Sequence, residues 1–586
     1  MEATREMEEQ DIGLLYPSRS GSCTGSTETI ASRLPSRQPS PTELHVPIHH
    51  DGIESFQDPS SPLKSPSLSN VQDTHFGLRL VGQKTVTRSR TLPHLAKSDA
   101  ALHLSSELAG FEFERDKALR MSQWVLAFAI VNFDLDVGPV ICGVHPPLYL
   151  APAEKDNIAF SCFPDSLQFE QGSEVHSFRI QDLGVSHKHI VLDHGINRPD
   201  SIDGYLYGYS HFSQRRDNTS KRGYQQTSLV LLSHLQYPAL FTILIMKLGP
   251  LFLTHGVPML ETACHNIANW CSPSPGLTTE LGFLGSVLHV ELPMNADIQQ
   301  LTETASFHEK FDPTLHLLSS IAPLDPPPIS IFEASLSHLW SIWECLILCE
   351  PILVFGSSPA ATSQAVWWLR DLLRPIPLAN DFRPYFTIHD KDHALLVNKL
   401  PPKSGLILGV TNPFFQKSCA HWPHVLSVGL KSSPRRQGDA TIMAGPPPGW
   451  CTRTHRRYIS KDRQLLAAIE KACHASVQHR IQASLDLRRH LSSRTNAMLV
   501  PLNRYLNTLI PSPTERTTVS DCRRLKPFST ADFFSSLKAN GSPLPFKSVT
   551  KRREFYERWL KTPAFGLWLA QQEEVVHRTL QDKWAG

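Results

Sequence analysis

At 586 residues, 41% hydrophobic and 19% charged, the chain has the length of two to four domains and the composition of a soluble globular protein with a polar tail. Its eleven cysteines, odd in number and spread singly from Cys23 to Cys522, argue against a secreted disulfide framework and for a reducing cytosolic setting. The formal charge of +2 hides an asymmetry: residues 431–586 hold 27 Lys and Arg against 12 Asp and Glu, a net +15, so the first 430 residues carry −13.

Residues 1–118 are rich in Ser, Pro, Thr and Gln and poor in apolar clusters, so burial cannot offset chain entropy and a disordered tail is expected. The opening MEATREMEEQ is acidic and lacks the apolar core of a signal or transit peptide. Ser40, Ser61 and Ser65 each precede proline and suit proline-directed kinases. RSRTLP, from Arg88 to Pro93, resembles a 14-3-3 phosphopeptide with Thr91 as acceptor; a new phosphate there would pair with an Arg cluster on the partner.

Order is predicted to begin near Trp124. WVLAFAIV reads as a buried strand, and Asp134 to Gly138 as a turn, since Asp bonds nearby amides and Gly supplies positive φ. IAFSCFPDS (Ile158 to Ser166) and HSFRI (His176 to Ile180) read as extended pieces, YLYGYSHF as a strand with alternating aromatics, and RRDNTSKRGY as a charged turn. The apolar run from Ser228 is broken by His234, Pro238, Lys247 and Pro250, so it reads as a strand and then a helix near Ala239 to Leu248 rather than a span of about 20 apolar residues. Residues 271–328, bracketed by CSPSPG and IAPLDPPPIS, form a proline-stiffened connector with one strand, LGSVLHVELP. A second α/β module follows. FEASLSHLWSIWECLILCE is helical, PILVFGSSP a strand and turn, and Pro359 opens another helix; PYFTIHD and SGLILGVTN are strands. The basic final third has helical periodicity and predicts an anionic partner, a membrane surface or an acidic protein face; solvated Arg-bearing helices are the plain alternative. No nucleic-acid partner is expected.

Catalytic signatures are absent by inspection: no Walker A loop, GxGxxG, HExxH or GxSxG occurs. GSSPAATS, from Gly356, lacks the Gly-Lys pair of a phosphate loop and reads as a structural turn. Cys419-x-His421-x-x-His424 lacks a second ligand pair and departs from structural zinc spacing. His389 and Asp390, adjacent on a predicted strand, would point to opposite faces and cannot form a base and its orienter. Neither a metal nor a cofactor is expected.

FDLDVGP, FSCFPDS, FRI and RRDxxxKRGY, then DFRPYFTIHD, GVTNPFF and HWPH, and finally KRREFYERWLKTPAF, recur here in the order and spacing of DENN-domain proteins. The chain resembles the short branch of that family, associated with Rab GTPases of recycling endosomes. The resemblance implies an α/β multidomain fold: a longin-like N-terminal module at 119–270, the connector at 271–328, a central DENN module at 329–430 and a mainly helical module at 431–586. It implies a Rab guanine nucleotide exchange factor, cytoplasmic and recruited peripherally to endosomal membranes. Asp134, Asp136, Arg215, Arg216, Asp217, Arg222, Asp381, Arg383, His389, Asp390 and Asn412 are its candidate Rab-binding or support positions. Two other readings stay open: a Rab effector or scaffold without exchange activity, and a GTPase-activating protein with Arg215 or Arg216 as the catalytic arginine.

Overall fold

A computed structural model describes residues 113–165, 171–184, 198–218, 223–307, 310–313, 315–430, 445–510 and 525–585. The tail positions Ser40, Ser61, Ser65 and Thr91, and Arg222, lie outside the described residues.

The first module is a five-stranded antiparallel sheet. Helix α1 (Arg115–Ser122) leads into strands β1 (Ala127–Asp134) and β2 (Gly138–His145). Helix α2 (Pro152–Ser161) follows, then β3 (Gly172–Gln181), β4 (Tyr205–Arg216) and β5 (Tyr224–Ser233), in spatial order β2-β1-β5-β4-β3. Alternation along the strands feeds two cores. Phe128, Ile130, Leu229 and Leu231 face helices α3 (Pro238–His255) and α4 (Val257–Ala268). Ala129, Val131, Val230 and Leu232 face α2 on the other side. Both faces are covered, which is why the strands read as near-continuous apolar runs.

Two predictions are corrected here. IAFSC is the end of α2, not a strand: Glu154, Asn157, Ile158 and Ser161 make one buried helical stripe, and a five-residue apolar window cannot separate the two periods. The apolar helix α3 runs on through Pro250 to His255. It is long and apolar enough to cross a membrane by composition, but Leu240, Phe241, Leu244, Ile245 and Leu248 are buried in the protein core.

Three strands, β6 (Thr278–Phe283), β7 (Ser286–Glu291) and β8 (His316–Leu318), form a small sheet where one strand was predicted. The central module follows: α5 (Leu339–Ile347), β9 (Ile352–Phe355), α6 (Pro359–Leu373), β10 (Phe382–Arg383), β11 (Ile407–Val410), β12 (His424–Ser427) and β13 (Gly449–Thr452). Its sheet order is β10-β11-β9-β12-β13, parallel except for the last strand. Ser358 caps α6 by accepting from the Ala361 amide at 3.3 Å, with Pro359 in the first turn as expected. The predicted strand PYFTIHD does not form. Pro384 has no amide to extend the ladder, so β10 ends at Arg383, although the Phe386 amide still bonds the Gly409 carbonyl of β11 at 2.8 Å.

The final third is helical: α7 (Arg463–Ala472), α8 (Val477–Thr508), α9 (Thr530–Asn540), α10 (Val549–Trp559) and α11 (Pro563–Ala585). Trp343 of α5 donates to Thr495 of α8 at 2.9 Å, and Phe555 of α10 stacks on the same indole, so this third packs into the central core.

Candidate functional site

The segment Asp381 to Asp392 lies where the two α/β modules meet. Arg179 of β3 is buried and donates to Asp381 at 2.7 Å, to Asp203 at 3.0 Å, to the Tyr207 hydroxyl at 3.2 Å and to the Phe382 carbonyl at 3.2 Å. Its guanidinium sits 3.4 Å over the Tyr205 ring and 4.4 Å over Phe382. Arg383, equally buried, pairs with the other oxygen of Asp381 at 2.8 Å, donates to the Arg179 carbonyl at 3.1 Å and also pairs with Asp392. Burial would lower the pKa of both guanidiniums, but their acidic partners hold each above its ordinary value. Asp381 therefore clamps one arginine from each module.

The rest of DFRPYFTIHD extends the junction. Tyr385 enters the α2-side core, accepts from the Asp165 amide at 2.8 Å and donates to the Phe163 carbonyl at 3.3 Å. His389 stacks on Phe160 with ring centroids 4.4 Å apart. Asp390 is buried and accepts from the Asp392 amide at 2.8 Å; burial lifts its pKa to about 6 although Arg383 opposes the shift. With no strand at 389–390 the alternation argument lapses, yet the two side chains still have different partners.

Other predicted positions are turn supports. Asp134 closes the β1–β2 hairpin, accepting from the amides of Asp136 at 2.8 Å and Val137 at 3.1 Å. Asn412 accepts from the Phe414 amide at 3.0 Å. Arg215 and Arg216 pair in register with Gln225 and Tyr224, and the Asp217 amide bonds the Gly223 carbonyl at 2.9 Å. Arg215 also reaches the Leu253 carbonyl at 3.4 Å. Asp134 and the Arg215 hairpin are thus ends of the first sheet, separate from the Asp381 clamp. Within 381–424, Ile388, Leu395, Leu400 and Phe414 are 37%, 52%, 69% and 49% exposed.

The cysteine–histidine motif is not assembled. His421 Nε2 meets the Leu400 carbonyl at 3.0 Å, whereas His424 is buried against Glu350 and Thr452. Burial pushes the Cys419 thiol up to about 11. Elsewhere Cys345, Glu350 and His455 bring three donor atoms within 4.8 Å of one another. Glu350 is already taken by Arg558 and His424, and His455 Nε2 by Glu344 at 2.7 Å. These are ion-pair contacts that fasten the C-terminal third to α5 and β12, and too few uncommitted donors remain for a closed metal site.

Arg179, Asp203, Asp392, Glu344 and Glu350 are the positions that sequence reasoning missed. A lone arginine in a β-rich run carries no local signal for a partner 202 residues away.

No family model matches the chain. It is similar to Protein DENND6B of Homo sapiens, 32% identical over 481 residues that cover 79% of this chain and 81% of the relative. It is similar to Protein DENND6A of Mus musculus, 30% identical over 482 residues, 78% of each chain. A Dictyostelium discoideum relative, Protein DENND6 homolog, is 26% identical over 529 residues, 77% of this chain and 71% of the relative.

Proposed function

The chain belongs to the DENND6 group of DENN-domain proteins, and on that premise we propose that it is a guanine nucleotide exchange factor for a Rab GTPase of endosomal trafficking. DENN-domain proteins typically act on Rab GTPases in this way. Exchange makes and breaks no covalent bond, so the lack of catalytic signatures is no obstacle. The protein must bind the nucleotide-free GTPase more tightly than the loaded form, and linkage then weakens nucleotide binding by the same factor. Holding the switch loops open achieves this by disturbing the magnesium and phosphate contacts.

The observation that carries the reading is the double clamp of Arg179 and Arg383 on Asp381. It ties the two α/β sheets together, and a partner interface of ordinary size, about 1,600 Å² in total, could draw on both. Ile388, Leu395, Leu400 and Phe414, exposed within 381–424, supply apolar anchors. The protein then acts from the cytoplasm at endosomal membranes.

Release of fluorescent GDP from a Rab panel tests the proposal: one Rab should respond, and the same Rab should bind most tightly without nucleotide. Preferred binding of a GTP-loaded Rab with no acceleration of release would instead identify an effector or scaffold. Faster GTP hydrolysis that disappears in Arg215→Ala or Arg216→Ala would identify an activating protein.

A further inference from the structure

The cations of the C-terminal third fall into two populations. Along α8, α10 and α11 and in the turn between the last two, several are neutralised: Arg488 by Asp371, Arg489 by Asp486 and Glu303, Lys551 by Glu554, Lys561 by Glu557 and Arg578 by Glu574. Among the described residues, Arg480, Arg494, Arg504, Arg552 and Arg553 of the same helices have no carboxylate within ion-pair distance. The strap 453–463, which carries β13 into α7, concentrates five cations in eleven residues. Among the described residues, no carboxylate lies within ion-pair distance of Arg453, Arg456, Arg457, Lys461 or Arg463. Asp462, the one acid in the strap, is occupied in capping α7, where it accepts from the Leu465 amide at 3.0 Å.

Arg453, Arg456 and Arg463 are exposed. Lys461 donates to the Ser337 carbonyl at 3.0 Å, and Arg457 keeps a buried Nε without a partner. Like charges oppose one another here: burial and then the neighbouring Arg457 hold the Lys461 ammonium below its usual range although Glu470 works against the shift, and burial and then Lys461 do the same to His338. Such a cluster is relieved by anions. The exposed guanidiniums are not enclosed around a small ion; they suit an extended anionic surface, where each Lys or Arg near the headgroups adds attraction.

We propose that the cationic strap carrying Arg453, Arg456, Arg457, Lys461 and Arg463 docks on an anionic phospholipid bilayer. It gives peripheral recruitment a location. It does not depend on exchange activity, because exchange in solution needs no membrane.

The test is co-sedimentation of the full-length chain with phosphatidylcholine vesicles, with and without about 30% phosphatidylserine. A variant with Arg453→Gln, Arg456→Gln and Arg463→Gln is compared with one carrying Lys538→Gln, Lys547→Gln and Arg578→Gln, which loses the same charge elsewhere. Binding should require phosphatidylserine and weaken with salt. It should fall about tenfold or more in the strap variant and less than about twofold in the control. Matching melting curves would show that both variants fold. Equal loss in the two variants would assign binding to diffuse charge and overturn the proposal. So would equal binding to neutral vesicles, no vesicle binding by the full chain, or strap-dependent capture of polyglutamate without vesicle binding, the signature of an acidic protein partner.

Discussion

Asp390 shows how the junction trades solvation for order. Its pKa stands at about 6 in the fold because burial disfavours the carboxylate. A carboxyl raised in this way contributes stability that is complete below its ordinary value of 3.8 and is lost as pH rises through about 6. Asp390→Asn keeps an acceptor for the Asp392 amide but carries no charge. Urea midpoints should therefore rise above wild type at neutral pH and converge with it in mild acid. A constant difference across pH would exclude Asp390 as the titrating group. Asp165, raised to about 7 by burial, retains its own dependence in both proteins. Phe414 tests the other side of the site: it is half exposed, so Phe414→Ser should leave the melting temperature nearly unchanged. If it anchors the partner, GDP-release efficiency should fall about tenfold or more. Unchanged exchange would remove Phe414 from the interface.

Elements are held by close approaches that local propensity does not reveal. Gly249 lies in the interior of α3, where glycine costs about 1 kcal/mol relative to alanine. Its place is explained by His211 of β4: a Cβ at Gly249 would stand 2.2 Å from the imidazole. Gly249→Ala should therefore destabilise by about 1–3 kcal/mol through overpacking, despite the gain in helix propensity. Thermal unfolding checks the sign; a stabilised variant would mean that the ring moves aside at no cost. The helix α2 that takes in IAFSC is likewise tied to a distant segment, since its Glu154 pairs with Arg198 at 2.6 Å. The β1–β2 turn was legible for the opposite reason: Asp134 bonds amides two and three residues on, so its cause is contained in its own segment.

Across the whole molecule, the helical third is fastened by buried charge. Asp371 of α6 pairs with Arg488 of α8 at 2.5 Å and with Arg374 at 3.1 Å, and all three side chains are almost fully buried. Burial alone would raise the Asp371 pKa, but Arg488, Arg374 and Gln299 together hold the carboxyl below its ordinary value. This stabilisation is present above the unfolded value and is lost as pH falls through the folded one. Arg488→Ala leaves Asp371 underpaired in the core and should cost about 3–5 kcal/mol, read as a shift in the denaturant midpoint. A loss near zero would mean that the central module and the helices do not depend on this contact.

Fold class and family membership could be read from the chain alone, because binary patterning, turn chemistry and motif order are local properties. The identity of the junction could not. DFRPYFTIHD announced itself by composition, but its work is done through Arg179, 202 residues away, and the Asp165 amide, 220 residues away from Tyr385. Its acids and its arginine were candidates for touching or supporting a partner; packing made Asp381 and Arg383 part of the clamp with Arg179 and left Ile388 and Phe414 exposed. Likewise the basic count of the last third said how much charge is present, while only the tertiary structure separated paired cations from unpaired ones. Local segments carry propensity and pattern, but pairing of buried charge depends on which distant segments the fold brings within a few ångströms.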